Sequence, residues 1–360
     1  MRFKTLVLLV LLWPLQALAL QVTDLYQVDE PVPPGEDSNR QQLLSSAFDS
    51  MIWRLSGLSD LQAYPQLQQL REDPQEVIRG YSSRSTILRV NFDPASLLSV
   101  LQQQELAIWG EQRPAILLWW TQQDGHGQHL YNSDQRMARL IEQRADYRGL
   151  PVRFPLADLE EQILTERLSL QEREQVDQLL QRYSADVLLR VNVDAAARPG
   201  ASWQLYEQGR VRRGKNSAAS VPALADAIFV ELGEYFVQKY AVRHGEGQSL
   251  NIQVSALDFE RLLQVEKVLA PFSGKLIKLD PEYGIWQVNA MPEQLRALFE
   301  LKRIRQQPAP VIPQPVEPPP EPLQQPEAEP EPPATGLPDD GAELQQPEQL
   351  VPLHIDLYFR

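Results

Sequence analysis

Apolar residues recur along this chain at two spacings, and each change of spacing marks a new element. "LYQVDEPV" alternates as a strand does. After "PPGEDSNR", Leu44, Phe48, Met51 and Leu55 fall on one face of a helix. Ser38 with Gln41 fits a capping box at its start, and Gly57 is its stop. A short helix is expected over 65–70, then "EVIRGYSS" and "STILRVNF" as paired strands. "DPASLLSVLQQQ" follows as a helix with Asp93 as N-cap and Pro94 at its first position. Residues 20–110 therefore read as a small α+β domain.

Strand and helix patterns alternate next, over 111–243. The apolar strand 115–120 precedes a helix over 133–147 that stops at Gly149. "PVRFP" is a short strand, and a helix over 171–184 leads into "DVLLRVNV". Continuous apolar strands of this kind are buried on both faces of a sheet. "SWQLYEQGRVRRG" reads as a hairpin turning at Gln208-Gly209. A long helix follows, capped by Ser220 with Pro222 in its first turn. This middle part is expected to be an open α/β sandwich.

A third domain is expected over 244–306. Its pattern is a strand ("LNIQVS"), a helix (257–272), two strands ("GKLIKLD", "GIWQVNA") and a helix ("PEQLRALFEL"). That order is one strand short of a ferredoxin-like fold. Residues 307–349 then carry many prolines and glutamates and no lysine or arginine. Such a segment cannot bury a core and reads as disordered. The last residues return to strand alternation, with Leu353, Ile355, Leu357 and Phe359 on one side. Residues 350–360 are therefore expected to supply the missing fourth strand beside "LNIQV". The whole is a multidomain protein of α/β and α+β parts.

Charge and composition restrict the function classes. The net charge of −14 is the wrong sign for a nucleic-acid binder, which needs a basic surface. Arg2 and Lys4, the apolar run 6–13 and Ala17-Leu18-Ala19 form a Sec-type signal peptide over 1–19, with cleavage before Leu20. The absence of cysteine excludes both disulfides and a lipoprotein anchor. The expected product is an acidic periplasmic protein that does not span the membrane.

Candidate chemistry is sparse. Asp124, His126 and His129 lie in a loop after the strand that ends at Trp120, and His-x-x-His beside a carboxylate is a weak zinc pattern. Asp158, Glu160 and Glu161 form an acidic knot; paired carboxylates can do acid–base work, but the preferred reading is a helix start whose acids suit the macrodipole. Arg210, Arg212, Arg213 and Lys215 are the one basic cluster, suited to an anionic partner or surface. Trp119 and Trp120 at a strand end are either core or a binding surface. No G-x-G-x-x-G, G-x-x-x-x-G-K-[ST] or G-x-S-x-G motif occurs. No cofactor and no catalytic residue is assigned.

The exported N-terminus, "ILRVNFDPASLLSVLQQQELAIWGEQRPAILLWW", "RGLPVRFPLADLEE" and "YSADVLLRVNV…SWQLY" occur in that order. Together they resemble an uncharacterised exported family of Gram-negative bacteria, domain of unknown function 2066. The middle part is also similar in layout to the TolB N-terminal domain, CsgG and flagellar assembly protein T. That likeness is fold-level analogy and implies protein contacts and assembly in place of catalysis. The leading expectation is a non-enzymatic envelope adaptor or assembly factor that binds other envelope proteins. The alternatives are a metal-dependent hydrolase using His126 and His129, and a small-ligand binder near Trp119 and Trp120.

Overall fold

The computed structural model describes residues 24–33, 40–84, 86–124, 127–194, 198–243, 245, 247–309 and 354–360. The expected signal peptide, the capping box at Ser38 and nearly all of the proline-rich segment lie outside these residues.

The first unit contains β1 (Gln27–Pro31), α1 (Arg40–Ser56), α2 (Pro65–Glu72), β2 (Ile78–Arg84), β3 (Ile87–Phe92), α3 (Pro94–Gln103) and β4 (Ala107–Ile108). Its sheet has the order β1-β3-β2, antiparallel throughout. α1 presses Leu44, Phe48, Met51 and Leu55 into a core with Val28, Val90 and Phe92. Gly57 ends α1 at φ +70, a left-handed conformation that costs glycine nothing. Asp93 caps α3 by accepting the Ser96 N–H at 3.0 Å.

The middle unit runs β5 (Ile116–Asp124), β6 (Gly127–Leu130), α4 (Arg136–Tyr147), β7 (Val152–Arg153), α5 (Leu159–Arg167), α6 (Arg173–Arg182), β8 (Val187–Asp194), β9 (Gly200–Glu207), β10 (Arg210–Ser217), α7 (Val221–Tyr240) and β11 (Val242–Arg243). Its sheet order is β10-β9-β8-β5-β6, with β7 also beside β5. β5 and β8 are parallel, while β6, β9 and β10 pair antiparallel. Alternation divides the apolar run of β5 between two cores. Ile116, Leu118 and Trp120 face α4 and α7, whereas Leu117 and Trp119 face α6. The β9–β10 hairpin turns at Gln208 (φ 50) and Gly209 (φ 77), the paired positive φ of a tight two-residue turn.

The third unit contains β12 (Gln248–Ser255), α8 (Phe259–Leu269), β13 (Lys275–Leu279), β14 (Tyr283–Ala290), α9 (Pro292–Leu301), β15 (Gln306–Gln307) and β16 (Leu357–Phe359). The sheet order is β13-β14-β12-β16-β15. The terminal strand does lie beside β12, but it runs parallel to it. A ferredoxin-like fourth strand would be antiparallel there. β15, which pairs antiparallel with β16, is the strand with that orientation. A short turn out of α9 dictates the direction of β15, while the long connection to β16 imposes none.

Buried arginines join the first and middle units. Arg54 of α1 donates to the carbonyls of Leu25 and Gln27 and to those of Asp146 and Tyr147 at the end of α4, over 2.7–3.0 Å. Arg113 donates to Gly149, Arg54 and Trp109 carbonyls and lies over the Trp109 ring at 3.9 Å. Beyond β11, one apolar core continues from the α7 side of the middle sheet into the third unit.

Candidate functional site

Strand register sets two polar rows on the α6 side of the middle sheet. Trp119, Arg190, Gln204 and Arg213 stand opposite one another across β5, β8, β9 and β10. Thr121, Asn192, Ser202 and Lys215 form the next row. Residues directly opposite share a face, so these rows make one floor. In the row on the other side of Trp119, Leu117, Leu188, Tyr206 and Val211 are apolar and pack with α6. The same sheet face is therefore covered by α6 at one end; at the other, Trp119 and Thr121 are buried, and exposure increases toward β9 and β10, where Ser202, Arg213 and Lys215 are exposed.

The floor is held by hydrogen bonds among its own members. Thr121 Oγ1 donates to Asn192 Oδ1 at 2.7 Å, and Gln128 Nε2 of β6 donates to Thr121 Oγ1 at 2.9 Å. Arg190 Nη1 donates to the Leu168 carbonyl at 2.7 Å, which ties it to the α5–α6 connection. Its Nε and the Trp119 indole N–H are buried without acceptors. Burial lowers the Arg190 pKa. Among the described residues, no carboxylate forms a salt bridge with Arg190, Arg213 or Lys215. Three cations and several amide and hydroxyl groups thus face one side of a chain of net charge −14. They lie toward the carboxyl ends of the parallel strands β5 and β8, the edge where open α/β sheets take ligands. Chemically, this arrangement donates hydrogen bonds to anionic oxygens.

The expected basic cluster divides. Period-two alternation sends Arg213 and Lys215 to the floor and Arg212 to the opposite face, over the Tyr235 ring at 5.0 Å. Arg210 is opposite Glu207 at the hairpin end. Trp119 and Trp120 are both 0% exposed and sit in different cores, so neither forms a contact surface. The acidic knot is a helix start: Asp158 caps α5 through the Glu161 N–H at 2.9 Å. Glu161 is buried and accepts from the Ala157 N–H (2.7 Å) and the Tyr183 hydroxyl, while Glu160 is exposed. Burial, then the contact with Glu161, pushes the Tyr183 hydroxyl up to about 12. His129 is exposed on β6. His126 and the side chain of Asp124 lie outside the described residues, among which no set of three metal ligands converges.

Arg190, Asn192 and Gln204 were not singled out from the sequence. The available signal was the pair of polar residues at alternate positions of "DVLLRVNV", an otherwise apolar strand. A cavity of about 590 Å³ between the first unit and α4 is the other concavity of note. Two of its lining arginines are engaged within the fold: Arg89 is bidentate on Asp29, and Arg54 holds its four carbonyls. Burial raises the carboxyls of Glu142 and Asp146 there.

A family model described as a domain of unknown function (DUF8605) matches residues 19–110. It is an uncharacterised family, as expected, but a different one from that named above. No curated protein matches the chain. The Thermus thermophilus Protein Y N-terminal domain is similar at 19% identity over 20% of this chain and 88% of that one, with a TM-score of 0.14. That likeness bears on neither fold nor function. The fold-level likenesses to TolB, CsgG and flagellar assembly protein T find no support in these matches.

Proposed function

We propose that this protein is a non-enzymatic adaptor or assembly factor of the cell envelope, and that the basic floor of the middle sheet is its contact surface for an acidic partner segment. The observation that carries this reading is the register of half-buried Arg190 with exposed Arg213 and Lys215 on one sheet face, without salt-bridged carboxylates among the described residues. Cations left uncompensated in an acidic protein favour an anionic partner and speed its encounter. The polar groups between them suit the peptide backbone of such a partner. The reading includes export by a cleaved signal peptide to the periplasm, where a partner would be another envelope protein. It also includes a three-part organisation: an α+β unit, an α/β sandwich and a ferredoxin-like unit.

The test is charge reversal. Arg213→Glu with Lys215→Glu alters exposed positions and should leave the melting temperature nearly unchanged. A protein recovered from an envelope fraction by the wild type should be lost by the double variant, and lost from the wild type as salt rises. Equal recovery by both proteins would sink the proposed surface.

A further inference from the structure

The third unit has a full βαββαβ order before its last strand. β12, α8, β13, β14, α9 and β15 follow one another as βαββαβ, and β15 runs opposite to β12. β16 stands between β12 and β15, where the sheet would otherwise close. It meets β12 at Ile252–Leu357, Gln253–Tyr358 and Val254–Phe359, and β15 at Gln306–Phe359 and Gln307–Tyr358.

This slot discriminates among the side chains of its occupant. Leu357 and Phe359 are buried, and Tyr358 between them is half-buried. Phe359 stacks on Phe299 of α9, with ring centroids 4.4 Å and planes 15° apart. At the entry, Asp356 accepts the Asn251 N–H at 2.7 Å and returns its own N–H to the Asn251 carbonyl at 2.8 Å. Asn251 Nδ2 donates to the His354 carbonyl at 2.9 Å. At the far end, Arg305 and Arg360 exchange two backbone hydrogen bonds of 2.9 Å. Backbone pairing with alternate side-chain pockets is the mode of strand addition.

We infer that the slot between β12 and β15 is a peptide-binding groove, filled in cis by the chain's own C-terminus. Its ligand in trans is an extended segment of a partner protein carrying acid–Leu–x–Phe and running parallel to β12. Two features favour exchange over a permanent strand. Sheet closure does not need β16, because β15 already has the orientation to pair with β12. The strand is also tethered through residues 308–353, and so long a connection sets an effective concentration of only about 1 mM. A partner strand of the same chemistry competes against that value. This inference is independent of the basic floor.

The probe is a fluorescently labelled peptide of residues 354–360, HIDLYFR. A protease site placed between Gly341 and Ala342 of the full chain allows the tether to be cut after folding. At nanomolar protein, the cut chain should bind the probe about 100-fold more tightly than the uncut chain, the ratio of ~1 mM tethered strand to a ~10 µM free one. A peptide carrying Asp356→Asn and Phe359→Ala should not compete. The uncut Phe359→Ala chain, whose own tail is weakened, should also take up the probe better than wild type. The inference is overturned if the cut fragment stays with the body through dilution and never exchanges. It is equally overturned if neither altered chain binds the probe, or if tails swap between copies without probe uptake.

Discussion

Arg54 shows how one side chain can hold two units together. Its guanidinium donates to four carbonyls, two at the start of β1 and two at the end of α4. Burial lowers its pKa to about 10, so it stays charged at neutral pH. Replacing it with methionine fills similar volume but removes four hydrogen bonds from a buried joint, and should cost on the order of 3 kcal/mol in urea unfolding. Arg54→Lys keeps the charge and loses the planar fork, so it should recover only part of that loss. Single carboxyls set the response to pH. Burial raises Glu30, Glu142, Asp146 and Asp186 above their ordinary values. A carboxyl raised on folding weakens the fold above its folded pKa, and the penalty fades as pH falls toward its unfolded value of about 4. Asp93 and Asp158 are lowered by backbone N–H groups at their caps, and Asp280 by Lys278. Their stabilisation is present above about pH 4 and lost as pH falls through their lowered pKa values. The melting temperature should therefore hold or rise from pH 7.5 to pH 5, then fall below pH 4. A steady decline from pH 7.5 to pH 5 would contradict this assignment.

At the scale of elements, periodicity was a good guide wherever apolar residues face a core. α1, α3, α4, α6, α7, α8 and α9 each follow an apolar stripe or a cap that is visible in the sequence. Only the acidic start of α5 was legible, because its apolar pattern is inverted. Its buried positions are Glu161 and Thr165, while Leu159 and Ile163 are exposed. β6 was read as loop because "GQHL" has neither length nor alternation, and it is an edge strand set by pairing with β5. Of the candidate site, Arg213 and Lys215 were legible as basic residues, but their split from Arg212 and union with Arg190 depend on register between strands far apart in sequence. The β9–β10 turn, which aligns that register, was legible and can be tested. Gly209→Ala places a Cβ at φ +77 and within 3.0–3.3 Å of the Arg173 guanidinium. A left-handed alanine costs roughly 1–2 kcal/mol. Chemical denaturation should report a loss of that size, and amide exchange in β10 should quicken before that in β5.

At the scale of the whole molecule, the chain behaves as joined units only as far as its joints allow. The first unit has its own apolar core, separate from the one shared by the middle and third units. What connects them is mostly polar or aromatic: Arg54 and Arg113 on backbone carbonyls, Arg148 over the Trp53 ring at 4.9 Å, and Trp53 of α1 against Gly233 of α7. An interface built on buried arginine donors is directional, so its loss should uncouple the units before it unfolds either one. With Arg54→Met and Arg113→Met together, urea unfolding should change from one transition to two. The earlier transition should release amides of β1–β3, and the later one those of β5 and β8, when followed by hydrogen exchange. Each single variant should shift the transition and leave it single, because the remaining arginine still bridges α1 to the segment around Gly149. A double variant that still unfolds in one step would mean that the Trp53–Gly233 packing, and not the arginine pair, carries the coupling. Gly233→Ala, whose Cβ would stand 2.4 Å from the Trp53 ring, is the variant that would then split the transition.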